Sequence, residues 1–145
     1  MSGLAAVAVE RGQWPASATY ARQAADLAER LGNNLVLGHT LATLCTSELR
    51  QADQGGRPQL IYEALEHGRR SVEVLERIPP TDSLVFAHAY LTEVCLLMKR
   101  LPDAVTHYDQ ALNLAGVLGL HAIRDRVVEE MGSRVEAIRQ ARATA

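Results

Sequence analysis

Aromatic residues are scarce: one Phe, one Trp and four Tyr in 145 residues. A core must therefore be built from Leu, Val and many Ala, small side chains that let helices approach closely. Cysteine is nearly absent as well. Cys45 and Cys95 each sit inside an apolar run, and no CxxC or Cys/His cluster has zinc spacing. That excludes a disulfide framework and a zinc module, leaving two buried, reduced thiols in a cytoplasmic protein. Charge of one sign is missing too. With a formal net charge of −2 and a pI near 6.2, no basic field exists to gather nucleic acid or anionic lipid. The apolar opening "GLAAVAV" is short, without a preceding basic segment or a following small-residue cleavage site, so neither a signal peptide nor a membrane span is expected. No stretch alternates with period two, which argues against strands.

What is present reads as one folded domain: 48% hydrophobic and 22% charged residues over a length suited to a single core. Helix punctuation is frequent. Gly32 and Asn33-Asn34 suit a left-handed helix end followed by a new cap. Pro15, Pro58 and Pro102 stand near the starts of apolar-periodic runs, and Pro79-Pro80 stops another. The pattern predicts seven helices, at about 3–11, 15–31, 34–52, 58–78, 82–100, 102–118 and 120–142. Their short connections make successive helices antiparallel neighbours.

Two internal similarities organise these segments. "LVLGHTLATLC", residues 35–45, recurs as "LVFAHAYLTEVC", residues 84–95, at a separation of 49. In helix 15–31, Trp14, Ser17, Ala21, Ala24, Leu27 and Leu31 form a second pattern. Adding 47 gives Ile61, Ala64, Gly68, Ser71, Val74 and Ile78. Adding 87 gives Leu101, Ala104, Tyr108, Ala111, Leu114 and Leu118. The chain is thus expected to repeat a pair of helices, an A type (34–52, 82–100) and a B type. One pair alone cannot bury its apolar face, whereas stacked pairs form a continuous core.

Ala104, Tyr108 and Ala111 on the B helix, with Leu37, Gly38, Leu41 and Phe86, Ala87, Tyr90 on the A helices, resemble the tetratricopeptide repeat family. The long helices and "LAERLG"-type endings look like the roughly forty-residue variety of maltose-type, LuxR-class bacterial regulators. The resemblance spans nearly the whole chain and implies an all-α helical-repeat solenoid of about three helix pairs plus a cap. Residues 3–11 match only the last turns of an A helix, so the chain is expected to be cut from a longer solenoid or to have its first layer completed by another molecule, as in a homodimer. Asp125 and Arg126 replace the small residue and the His in the last helix, giving the charged face that a cap needs.

In that family the A-helix face lines a concave groove that binds peptides. Carried over by position, the groove comprises Leu35, His39, Ala42 and Thr43 from one A helix. Leu84, His88, Leu91 and Thr92 come from the next. The His-x3-Thr spacing places both side chains on one helix face, and the alternative is that they are interhelical packing residues. No phosphate loop, nucleophile elbow or metal constellation is present, so no enzyme, metal or cofactor is expected. The expectation is a non-catalytic protein–protein interaction module binding a peptide. The alternative is a regulatory segment of a larger signalling or transcription protein that holds a small effector or self-associates.

Overall fold

The computed structural model describes residues 13–144; the helix expected at 3–11, and any dimer contact made through it, lies outside them. Six α-helices follow one another: α1 Trp14–Leu31, α2 Asn34–Asp53, α3 Leu60–Leu75, α4 Asp82–Leu97, α5 Leu101–Val117 and α6 His121–Ala143. Among the described residues there is no strand, and no helix is long and apolar enough to cross a membrane.

Local chemistry sets the helix ends. Pro15 occupies the first turn of α1, where its missing N–H leaves no hydrogen bond unmade. Gly32 ends α1 at φ 68°, and the Asn33 side chain then accepts from the Val36 N–H at 3.1 Å to cap α2. Two helices are shorter than expected. Helix α3 starts at Leu60, because Pro58 stays in the turn and its carbonyl accepts from Ile61. It closes at Leu75, and the last residues before Pro79-Pro80 form single turns onto Val74 and Leu75. Helix α4 likewise stops at Leu97 as the chain swings through Lys99 at φ 61°.

Each helix packs on the next in chain order, and α2 also packs on α4. Side-chain pairs give the directions. Ser71 meets Gly38 and His67 meets Glu48, so α2 and α3 are antiparallel. His39 meets Ser83 and Arg50 meets Glu93, so α2 and α4 run parallel.

Burial repeats along the chain. Ser17, Ala21, Ala24 and Ala28 of α1 are buried, as are Ala64, Gly68, Ser71 and Leu75 of α3 and Ala104, Tyr108, Ala111 and Ala115 of α5. In α2, Leu37, Gly38, Thr40, Leu41, Ala42 and Leu44 are buried. Adding 47 gives Leu84, Val85, Ala87, His88, Ala89 and Leu91, buried in their turn. In α6 one stripe is buried, Val127, Met131, Gly132 and Val135, and the rest is largely polar and exposed.

Missing side chains set how closely the helices approach. A Cβ at Gly38 would stand 2.3 Å from the Leu75 side chain. The closeness lets Ser71 Oγ donate to the Gly38 carbonyl at 2.6 Å. Ala87 is fully buried in the cluster that holds Leu75. Gly68 is wedged the same way: a Cβ there would meet Leu91 at 2.6 Å and Cys45 Sγ at 3.0 Å. These contacts place α3 between α2 and α4. The central cluster around Cys45, Leu49, Ala64, Leu91 and Val94 fills the space that results.

Candidate interaction site

The eight residues expected to line a groove do not share one open face. Leu35 and His39 are exposed and Thr43 is half-buried, with His39 Nδ1 3.3 Å from Ser83 Oγ of α4. Ala42 is buried against Leu75, Leu84 and Ala87. Leu84, His88, Leu91 and Thr92 are all buried, with Leu91 and Thr92 at 0% exposure. The cause is register. The letters repeat after 49 residues, whereas the burial pattern of α2 recurs in α4 after 47. A slip of two residues turns a helix by about 200°, which carries the expected α4 groove positions to the core side.

The thiols and two buried pairs complete the polar interior. Burial pushes both the Cys45 and the Cys95 thiols upward, keeping them un-ionised. Glu48, with its side chain 0% exposed, takes the His67 Nδ1 at 2.6 Å, while Arg22 stands 3.6 Å from its other oxygen. Burial raises the Glu48 carboxyl above its ordinary range, and His67 pulls the other way. Two helices on, at the same sequence spacing of 19, His88 Nδ1 lies 3.0 Å from His107 Nδ1. One ring must present the N–H and the other its lone pair. Burial lowers His88 to about 4 and lowers His107 as well, so both rings are neutral at pH 7. Among the described residues no three His, Cys, Asp or Glu side chains converge as metal ligands do.

An open face does exist, displaced from the expected one. Helices α2, α4 and α6 border a cleft of about 130 Å³, with Trp14 of α1 at its edge. On α2, Thr46 and Arg50 continue the helical stripe of His39 and Thr43, at offsets of three and four residues. On α4 the wall is Phe86, Tyr90 and Glu93; on α6 it is Ile123, Arg126 and Glu130. Ala89, Val127 and Met131 form the floor. Half of the chain's six aromatic residues thus meet at one cleft. Phe86 and Tyr90 stack one helical turn apart, ring centroids 6.1 Å and planes 22°. Burial pushes the Tyr90 phenol up to about 12, so it stays a neutral donor.

Charge at this face is paired. Arg50 grips Glu93 with both terminal guanidinium nitrogens, at 2.7 and 3.2 Å, tying α2 to α4. On α6, Arg126 Nε donates to Glu130 at 3.0 Å. The sequence holds a signal for these residues that the repeated letters obscured. Counting 47 from His39 and Thr43 leads to Phe86 and Tyr90, the rare aromatics of α4. No protein-family model matches the chain, and no curated protein matches it significantly.

Proposed function

We propose that the chain is a non-catalytic protein-interaction module, a tetratricopeptide-like stack of helix pairs. In this reading the face made by α2, α4 and α6 binds a peptide segment of a partner protein. The observation that carries it is the gathering of Trp14, Phe86 and Tyr90 at one cleft in a chain with so few aromatics, since aromatics and Arg concentrate at binding hot spots. The recurrence of burial after 47 residues supports the stacked architecture, and the polar outer side of α6 suits a closing layer. A random peptide library selected on the full chain tests the function. Binders should change the emission of Trp14 and lose affinity on the Phe86→Ala/Tyr90→Ala variant. Failure to enrich any peptide, or binders indifferent to that variant, would sink the proposal.

A second reading, a self-associating regulatory segment of a larger signalling or transcription protein, is favoured by one feature. Leu27, Leu31 and Leu35 are exposed at 44%, 73% and 45% around the α1–α2 junction. Leu31→Lys should then convert a concentration-dependent dimer to monomer in sedimentation. A wild-type chain monomeric at high concentration would exclude the self-association.

A further inference from the structure

We infer that the cleft between α2, α4 and α6 receives one uncharged aliphatic side chain of the bound segment and rejects charged ones. This rests on the reading of that face as a peptide surface and adds the chemistry of its anchor. Size sets the first limit. A cavity of about 150 Å³ holds benzene, so 130 Å³ suits a Leu, Ile or Met side chain and is too small for an indole.

Charge sets the second limit. Arg50 and Arg126 would each attract an acidic group, and Glu93 and Glu130 a basic one, were they free. Arg50 and Glu93 are mutually satisfied in a two-bond pair whose side chains are only 23% and 13% exposed, and Arg126 is held by Glu130. A charged guest would have to break the largely buried Arg50–Glu93 pair and strand its partner, at a desolvation cost that a single new contact does not offset. The more exposed Arg126–Glu130 pair adds a weaker local bias. An apolar guest disturbs neither pair and is met by Ala89, Val127 and Met131 below and by Phe86, Ile123 and Trp14 at the sides. Met131 adds a side chain able to adapt to branched or straight shapes.

Peptides selected on the full chain and titrated through Trp14, its only tryptophan, give the test. Binders should share one aliphatic position. Replacing it with Lys or Glu should weaken binding on the order of tenfold to a hundredfold, and exchanging Leu for Ile or Met should change it by less than about threefold. Arg126→Gln, at a side chain 70% exposed and so safe for folding, frees Glu130. On that variant the Lys peptide should regain affinity, with no recovery for the Glu peptide. Binders that move Trp14 emission yet tolerate Lys or Glu at every apolar position would overturn the inference and leave the interaction module standing. So would a Lys peptide that gains nothing on Arg126→Gln. An absence of any Trp14-coupled binder would remove the peptide surface itself, and the anchor with it.

Discussion

At the scale of single residues, Gly38 and His88 carry consequences that stability measurements can read. A methyl at Gly38 collides with the Leu75 side chain, itself 1% exposed and with little room to move. Overpacking of this kind costs about 1–3 kcal/mol, against a helix-propensity gain of up to about 1 kcal/mol. Gly38→Ala should therefore lower the melting temperature, and Gly38→Leu should prevent a stable fold. Leu75→Ala should cost less in the Gly38→Ala background than in the natural chain, because the smaller side chain relieves the collision. A purely additive double variant would show that the two sites do not collide. His88 answers to pH. Its folded-state value lies near 4, below the ordinary 6.5, chiefly through burial and secondly through His107. His107 is in turn lifted by Asp103 of α5 and lowered by Arg69 of α3. Between pH 6.5 and 4 the unfolded chain binds the extra proton, so stability rises with pH across this window and drains away as pH falls through it. The loss amounts to about 2–3 kcal/mol for a shift of this size. Denaturant midpoints recorded from pH 7 to 4 should fall steeply for the natural chain. They should fall less for His88→Leu, which places there the residue found at the matching α2 position, Leu41. Equal slopes for both would remove His88 from the account.

At the scale of helices, the connection from α4 to α5 stores strain. Lys99 stands at φ 61°, where Gly32 and Gly119 serve the junctions before α2 and α6. A side chain in the left-handed region costs roughly 1–2 kcal/mol, partly repaid in Gly by its greater unfolded-state freedom. Lys99→Gly should raise stability by about 0.5–1 kcal/mol, a melting increase of a few degrees; no change or a decrease would contradict it. The helices differed in how well the sequence announced them. Helices α1, α3 and α5 are legible in register, because small residues fall at most positions where these helices cross their neighbours, with Leu75 and Tyr108 the large exceptions. The all-helical class was legible too, as was the junction where Gly32 ends α1 and Asn33 caps α2. The face of α4 was not. Leu-Val, His and Thr recur after 49 residues, yet a helix buries whatever the phase of its contacts dictates, and that phase recurs after 47. Identical letters at 39 and 88 therefore meet unlike surroundings: His39 looks outward beside Ser83, and His88 is enclosed against His107. The cleft residues could be found only after the phase was known, since Phe86 and Tyr90 read in isolation as ordinary core aromatics.

At the scale of the whole molecule, the proposed stack of helix pairs makes a prediction that a single globular core does not. Packing runs from each helix to the next, with the α2–α4 contact the further principal link. In a stack, stability is close to a sum of local terms and neighbouring interfaces. Helix α6 is the most exposed layer and its removal the sharpest trial. It buries Val127, Met131 and Val135 against Ala89 of α4 and Tyr108 of α5, and most of its remaining surface is charged and solvated. A chain ending at Leu120 would open that apolar cluster to water, losing roughly 1.5–3 kcal/mol for each large side chain no longer covered. The loss should stay local. Amide exchange should speed up in α5 and in the half of α4 around Ala89, while α1 and the α1-facing half of α2 keep their protection. The shortened chain should also associate through the newly bared patch, and Tyr108→Lys should suppress that association. Exchange that accelerates uniformly from α1 to α5 would mean that the six helices share one cooperative core. The layered architecture, and with it the placement of a binding face along α2, α4 and α6, would then have to be abandoned.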